Sequence, residues 1–524
     1  MPYQHPWQTS QAPRGGAGRD AVGRGALGSS VLGCCRALAL MLLLWPLAAT
    51  AAPPNIVVLL ADDLDLASAA FMPEVQALAA RGTSFTNAFA VTPMCAPSRA
   101  TLLTGRYPQN TGVRSNRLPG GGYRPFYLGG QERDTVAVRL RAAGYRTALI
   151  GKYINDYPLG AGPMHIPQGW SHWVVPATNG DMHAKYDYTL NDDGETVSHG
   201  SAPADYSVDV YAAQARLFID HAAAAGVPFA VLVTPPSPHV KEVPARRHAD
   251  LFPTLQAPRP SSFPELDTSD KPPFMRLPLL DAGQIAQIDE RYRLRLRMLQ
   301  AVDEALGGIE RLLAERGLLE STYIVFTSDH GWHQGQHNQM PGKGRPYDED
   351  IRVPLIVAGP HVPAGRRLDQ LVDLADLAPT LSAWAGAPAG AVDGRSLADL
   401  LQSRAAQRAP WRKRIPIMRS IEGATPATTW PAPDRGPERE GYACLAHLPP
   451  SARAWPEYRG LRTQRYTYIE HVTGDLELYD DRVDPQQTSN LICRVGADMV
   501  AQLHNATEAL FACQGDACRR VEDR

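Results

Sequence analysis

Two apolar runs, far apart in the chain, each stop at a cluster of charge. In "NIVVLLADDLD" the β-favouring residues Ile56 to Leu60 run without polar alternation and end at Asp62 and Asp63. "TYIVFTSDHGWHQGQH" repeats the design, with Tyr323 to Phe326 followed by Asp329 and His330. Continuous runs of this length predict strands covered on both faces. Ahead of the second run, Ile285, Ile288, Tyr292, Leu296, Leu299, Val302, Leu306, Ile309 and Leu313 recur at spacings of three and four. That stripe predicts a long helix packed on the core, with no chemistry of its own. The alternation of strand and helix signals between the two runs predicts an α/β fold, a large, mostly parallel sheet with helices on both faces. Further on, "YRGLRTQRYTYIEH" and "LELYD" read as a hairpin and its neighbour. We place the large domain at 53–405 and a smaller one at 406–524; nothing in the pattern places the residues after about 495.

The first 51 residues read as an address. A polar stretch with Arg14, Arg19, Arg24 and Arg36 precedes the apolar run "ALALMLLLWPL", and Ala49-Thr50-Ala51 then fits a small-residue cleavage site. This order is that of a secretory signal over 1–51. The run is short for a membrane span and Pro46 ends it, so the mature protein is expected to be secreted or periplasmic, with no stable membrane insertion. The polar stretch is long for a signal, which is compatible with a start codon further downstream. A net charge of −2 gives no electrostatic footprint for nucleic acid.

Export sharpens the cysteine arithmetic. Cys34 and Cys35 leave with the signal, and Cys444, Cys493, Cys513 and Cys518 cluster late, enough for two disulfides. Cys513 with Cys518 is one pairing among those the sequence leaves open. Cys95 is the odd one. It sits in "MCAPSRATLLTGRYP", which reads as a Pro-bounded turn and a poor place to bury a thiol.

Open α/β sheets bind ligands beyond the carboxyl ends of their strands. Two acid-tipped strands side by side would gather three carboxylates and an imidazole, a donor set suited to a hard cation such as Ca²⁺ or Mg²⁺. Taken singly, Asp62 and Asp63 would cap a turn or helix; the repeated design favours the cation.

With those residues in place, the chain resembles the formylglycine-dependent type I sulfatases of the alkaline-phosphatase-like superfamily. "CAPSRATLLTGR" (Cys95–Arg106) matches the C-x-P-S-R-x-x-x-L-T-G signature at every fixed position, and the likeness runs from about 54 to about 495. "GKYINDY" (Gly151–Tyr157), "HIPQGWSHWVVP", "YDYTLNDDGE" and "GKGRPYDEDIRVPL" are most similar to N-acetylglucosamine-6-sulfatases and related heparan sulfatases. The resemblance implies a smaller C-terminal antiparallel-sheet domain and the oxidation of Cys95 to Cα-formylglycine by a maturation enzyme that reads Pro97 and Arg99. It also implies hydrolysis of sulfate esters on sulfated carbohydrates, in particular 6-O-sulfated N-acetylglucosamine or related glycosaminoglycan units. The hydrate of the aldehyde would attack sulfur, and its second hydroxyl would expel sulfate.

Carried over by position, Asp62, Asp63, Asp329 and His330 with residue 95 would hold Ca²⁺, with Mg²⁺ the alternative. Many members have Asn where His330 stands. Arg99 would orient residue 95, Lys152 and Lys343 would clamp sulfate oxygens, and His239 would protonate the leaving oxygen. Where many arylsulfatases have a histidine two residues after the first lysine, this chain has Ile154, which leaves the base for sulfate elimination open, with His333 and His337 as substitutes. The long Pro-rich stretches Val240 to Asp281 and Ile421 to Glu440 are expected to shape specificity, the former carrying basic residues that would meet a polyanionic glycan. Phosphoester or phosphonate ester hydrolysis on the same scaffold, and arylsulfatase activity of broad specificity, are the alternative readings.

Overall fold

A computed structural model describes residues 52–431 and 455–524. The signal segment, Cys444 and part of the second Pro-rich stretch lie outside the described residues. The strand Asn55–Ala61 forms where the first apolar run predicts it, and Thr322–Ser328 where the second does. They pair in parallel, Ala61 opposite Ser328, so both acid clusters leave the sheet at the same edge.

Five strands form the parallel centre of a ten-stranded sheet, in the order Thr322–Ser328, Asn55–Ala61, Phe229–Thr234, Arg146–Gly151 and His172–Pro176. Antiparallel pairs extend it on both sides, through Leu355–Ala358 and through Tyr188–Asp192 with Glu195–His199. Two-residue periodicity splits the central strand between two cores. Val57 and Leu59 face the helices Ser207–Ala224 and Ala282–Glu315, while Ile56, Val58 and Leu60 face Cys95–Thr104, Val136–Ala142 and Leu377–Trp384. Each such side chain, fully withdrawn from water, stabilises the sheet by about 1.5–3 kcal/mol.

The long helix spans Ala282–Glu315, and its stripe from Ile288 to Leu313 is buried. Asp281 caps it, accepting from the Gln284 amide while the Gln284 side chain accepts from the Asp281 N–H. The smaller sheet is antiparallel, Arg414–Arg419, Tyr458–Thr463, Tyr466–His471 and Leu476–Asp480 in that order. Its middle pair is the hairpin read from the sequence. The tail forms two helices, Ala497–Ala512 and Asp516–Glu522, joined by the Cys513–Cys518 disulfide. Cys493 is disulfide-bonded as well. Contacts group Pro53–Arg524 into one compact unit. No helix among the described residues is long and apolar enough to cross a membrane.

One expectation is corrected. Cys95 does not sit in an open turn: it is the first residue of the helix Cys95–Thr104 and is wholly buried. Pro97 reads as a turn residue, but it occupies the first helical turn, where a missing N–H breaks no intrahelical bond.

Candidate active site

Three strand ends and one helix start converge on Cys95. Asp62 and Asp63 follow the central strand, Asp329 and His330 its parallel neighbour, and Lys152 the strand Arg146–Gly151. The two acidic tips are tied together: the Asp63 N–H donates to Asp329 Oδ1 at 3.1 Å, and the Leu64 N–H to Ser328 Oγ at 2.9 Å. Asp63 takes up a left-handed backbone conformation, φ 70°, which an aspartate tolerates better than most residues and which turns the chain sharply at the site.

Around residue 95 the charges interlock. Arg99, one turn along the helix, donates from Nε to Asp329 Oδ2 at 2.9 Å and from its terminal nitrogen to the Lys152 carbonyl at 2.7 Å. Lys152 Nζ donates to both oxygens of Asp62, at 2.9 and 2.8 Å. Lys343 Nζ lies 2.7 Å from Asp63 Oδ1 and 3.0 Å from Cys95 Sγ. His330 Nε2 lies 3.4 Å from the same sulfur and 3.3 Å from Asp63 Oδ1. His239 brings Nε2 within 3.7 Å of Asp63 Oδ2. The nine residues to which the sequence assigned catalysis or metal binding are thus brought together.

Burial sets the electrostatics. The side chains of Asp62, Asp63, Asp329, His330 and Lys152 have no exposure at all. Burial alone would push the Asp62 carboxyl up, but Lys152, His239 and Arg99 together hold it well below the usual carboxylate range. Against burial again, Lys152 and Lys343 pull the Cys95 thiol down. The surrounding positive charges thus favour a negative charge at Asp62 and at residue 95, while burial pushes the Asp329 carboxyl up to about 6.

The donor set fits a hard divalent cation. Three buried carboxylates and an imidazole approach within a few ångströms, with Asp63, Cys95 and His330 in one group and Asp62, Cys95 and Asp329 in another. Asp63 Oδ2 is buried and accepts no hydrogen bond, an oxygen left available for coordination.

His183 is a site residue the sequence reading missed. Its ring stacks on that of His239, centroids 3.7 Å apart and planes within 5°, and its Nε2 is 4.0 Å from Asp62 Oδ2. Burial, then Lys152 and His239, hold its imidazole well below the ordinary value. A lone histidine in the loop "NGDMHAKY" carries no spacing that could have marked it. Lys185, also buried, donates to the carbonyls of His183 and Pro236, and so ties that loop to the strand leading to His239.

His333 and His337 are engaged elsewhere. His333 Nδ1 pairs with Asp350 at 2.9 Å and its Nε2 lies 3.1 Å from the Met340 carbonyl; His337 Nδ1 pairs with Glu265 at 2.7 Å. Two of the basic residues in the first Pro-rich stretch are already paired with carboxylates. Arg247 pairs with Asp209 and Glu304, and Arg259 with Asp289.

This constellation is accompanied by a family match. The family model described as Sulfatase matches residues 54–387. The chain belongs to the sulfatase family. It is a sulfuric ester hydrolase of mostly parallel α/β architecture with a small antiparallel sheet. The N-acetylglucosamine-6-sulfatase of Homo sapiens is 30% identical over 491 residues, covering 89% of this chain and 86% of that protein. A Caenorhabditis elegans protein named as a Sulf-1 homologue is 36% identical over 381 residues, or 70% of this chain; the chain spans about half of that relative, 52%. Among solved structures, a protein in complex with D-glucosamine-2-N,6-O-disulfate superposes with a TM-score of 0.68 at 22% identity, covering 88% of this chain and 97% of the other, a likeness of fold.

Proposed function

We propose that this sulfatase is exported and hydrolyses 6-O-sulfate esters of N-acetylglucosamine or related glycosaminoglycan units, through a Cα-formylglycine formed from Cys95 by a maturation enzyme. The observation that carries the reading is the convergence of Lys152, Lys343 and Arg99 on a buried residue 95 beside three carboxylates. The 30% identity to an N-acetylglucosamine-6-sulfatase over most of both chains supports the substrate class. The name of the fly homologue, extracellular sulfatase SULF-1, supports export.

Formylglycine at position 95 would supply the nucleophile, and Ca²⁺ (or Mg²⁺) held by Asp62, Asp63, Asp329 and His330 would supply positive charge opposite the sulfate. Arg99 fixes the position of residue 95, because its guanidinium is itself anchored to Asp329 and to the Lys152 carbonyl. Lys152 and Lys343 donate to sulfate oxygens, and their charge counts for more as negative charge builds there in a buried site. His239 Nδ1 lies against the Val240 carbonyl, so a proton is held there and Nε2 faces the cluster. From Nε2 the imidazolium passes a proton to the departing sugar oxygen.

Mass spectrometry of the tryptic peptide carrying residue 95, from natively exported and active enzyme, is expected to show the aldehyde or its hydrate. Finding only cysteine there would sink the mechanism. A panel of 6-O-, 2-O- and N-sulfated sugars, an aryl sulfate and a sugar 6-phosphate tests the substrate. Turnover of the 6-O-sulfated glucosamine alone or foremost is expected; activity confined to the aryl sulfate or the phosphate removes the glycan assignment.

A further inference from the structure

Arg345 and Arg419 form a pair of positive charges at the edge of the site that none of the steps above uses. They come from different parts of the chain, the loop after Lys343 and the strand Arg414–Arg419 of the small sheet. Trp455 joins them: the Arg345 guanidinium lies 4.0 Å over its indole, and Arg419 donates to its carbonyl at 3.2 Å. Among the described residues, neither guanidinium pairs with a carboxylate, although both are only partly exposed. Arg345 Nε donates to the Gln339 side-chain oxygen at 2.5 Å. Burial, and then the neighbouring Arg419, hold Arg345 down to about 10, with the Asp350 carboxylate only partly opposing them.

Three buried donors at the same corner lack an acceptor among the described residues. Among the described residues, Arg419 Nε, Trp455 Nε1 and the Tyr458 hydroxyl make no hydrogen bond, and Tyr458 is wholly buried. Proteins rarely leave such groups unpaired, and here all three are N–H or O–H. The corner adjoins the reaction centre. A Cβ placed on Gly344 would stand 3.0 Å from Arg419 Nε and 3.6 Å from Met94 Sδ. Gly344 follows Lys343 and Met94 precedes Cys95, so Arg419 packs against the residue next to Lys343, on a glycine that also faces the residue before Cys95. Gly344 itself has φ 92°, a conformation that glycine adopts without strain and that leaves room for the guanidinium.

From this placement we infer that Arg345 and Arg419 form a second anion subsite, which binds a second negatively charged group of the substrate beside the sulfate ester that is hydrolysed. The inference rests on the proposed function and narrows it: the preferred sugar carries two anions, and the second is a sulfate or carboxylate, which a guanidinium fork binds in two-point fashion. Arg247 and Arg259 of the Pro-rich stretch are already neutralised by carboxylates, so the arginine pair is the better locus for this recognition.

Two substrate comparisons test it on the full-length enzyme. One sets N-sulfoglucosamine 6-O-sulfate against N-acetylglucosamine 6-O-sulfate. The other sets a disaccharide of glucosamine 6-O-sulfate and a uronate against its uronate methyl ester. Wild-type kcat/KM is expected to favour the dianion by about ten-fold or more in one arm, as charge-assisted pairing implies. Preference in the first arm identifies a sulfate on the same sugar, and in the second a neighbouring carboxylate. In Arg345→Gln and in Arg419→Gln the ratio is expected to collapse toward one. A wild-type ratio near one in both arms overturns the subsite without reference to any variant, as does a strong ratio that survives both substitutions. Turnover of an aryl sulfate with none of the four sugars would instead overturn the proposed function, and the subsite with it.

Discussion

Arg99 is held by groups from three other segments at once: Asp329, the Lys152 carbonyl and, at 3.5 Å, Asp62. A lysine keeps the charge but cannot divide it between a carboxylate and a carbonyl on opposite sides. Arg99→Lys is therefore expected to lower kcat on the order of 10²-fold, the scale typical of losing a preorganised donor, with a smaller change in KM. Steady-state kinetics check this, with a thermal melt to show that the variant is folded. Arg99 was legible through the signature it shares with Cys95. Lys152, Lys343 and His239 were likewise legible only through the resemblance, since each alone looks like a surface or loop residue. His183 was not legible at all: its importance comes from stacking on a ring 56 residues away in sequence, which no local pattern encodes.

At the scale of elements, the apolar runs predicted the two central strands, and the stripe predicted the long helix to within a turn. The start of the helix Cys95–Thr104 was hidden because Pro97 signals a turn equally well, and only packing against the sheet decides between them. Electrostatics distinguish the small sheet in the same way. Asp481 follows the strand Leu476–Asp480, pairs with Arg462, and accepts from Thr467 and from Gln487. Burial lifts its carboxyl, Arg462 pulls it down and Asp348, which shares Arg462, pushes it up, leaving it at about 7. This is above the value of about 3.9 expected in the unfolded chain. The contribution of Asp481 to stability is thus fully present below about pH 4 and lost as pH rises through 7. Asp481→Asn cannot titrate, so its stability relative to wild type should rise between pH 5 and pH 8, by on the order of 2–3 kcal/mol. Urea unfolding of both proteins at the two pH values measures the difference, and a constant gap would show that Asp481 does not titrate there.

For the molecule as a whole, the least legible part was the tail, whose partners lie far back in the sequence. The helix Ala497–Ala512 is positioned by the ion pair of Glu508 with Arg459 and the hydrogen bond between His504 and Glu470, and the Gln109 side chain donates to its Leu510 carbonyl. The last helix is anchored by Glu522, which is wholly buried against Arg412, Arg395 and the Tyr107 hydroxyl. Arg412 is the centre of that junction. It pairs with Asp373 at 2.6 Å and with Asp376, and reaches Glu522 at 3.5 Å, all without exposure to water. Three carboxylates thus share Arg412, and burial with the neighbouring Asp376 already pushes the Asp373 carboxyl well above its usual range. Removing the arginine strands buried negative charge, whereas neutralising one of the acids relieves part of the excess. Arg412→Ala is accordingly expected to cost about 3–5 kcal/mol, the usual penalty for breaking a buried pair from one side. Glu522→Gln, which can still accept from Tyr107, is expected to cost within about 1 kcal/mol, the scale of one neutral hydrogen bond. Denaturant unfolding of the two variants decides the point: a loss for Arg412→Ala as small as that for Glu522→Gln would mean that the tail is held by packing alone, and that the charges at the junction are incidental to its stability.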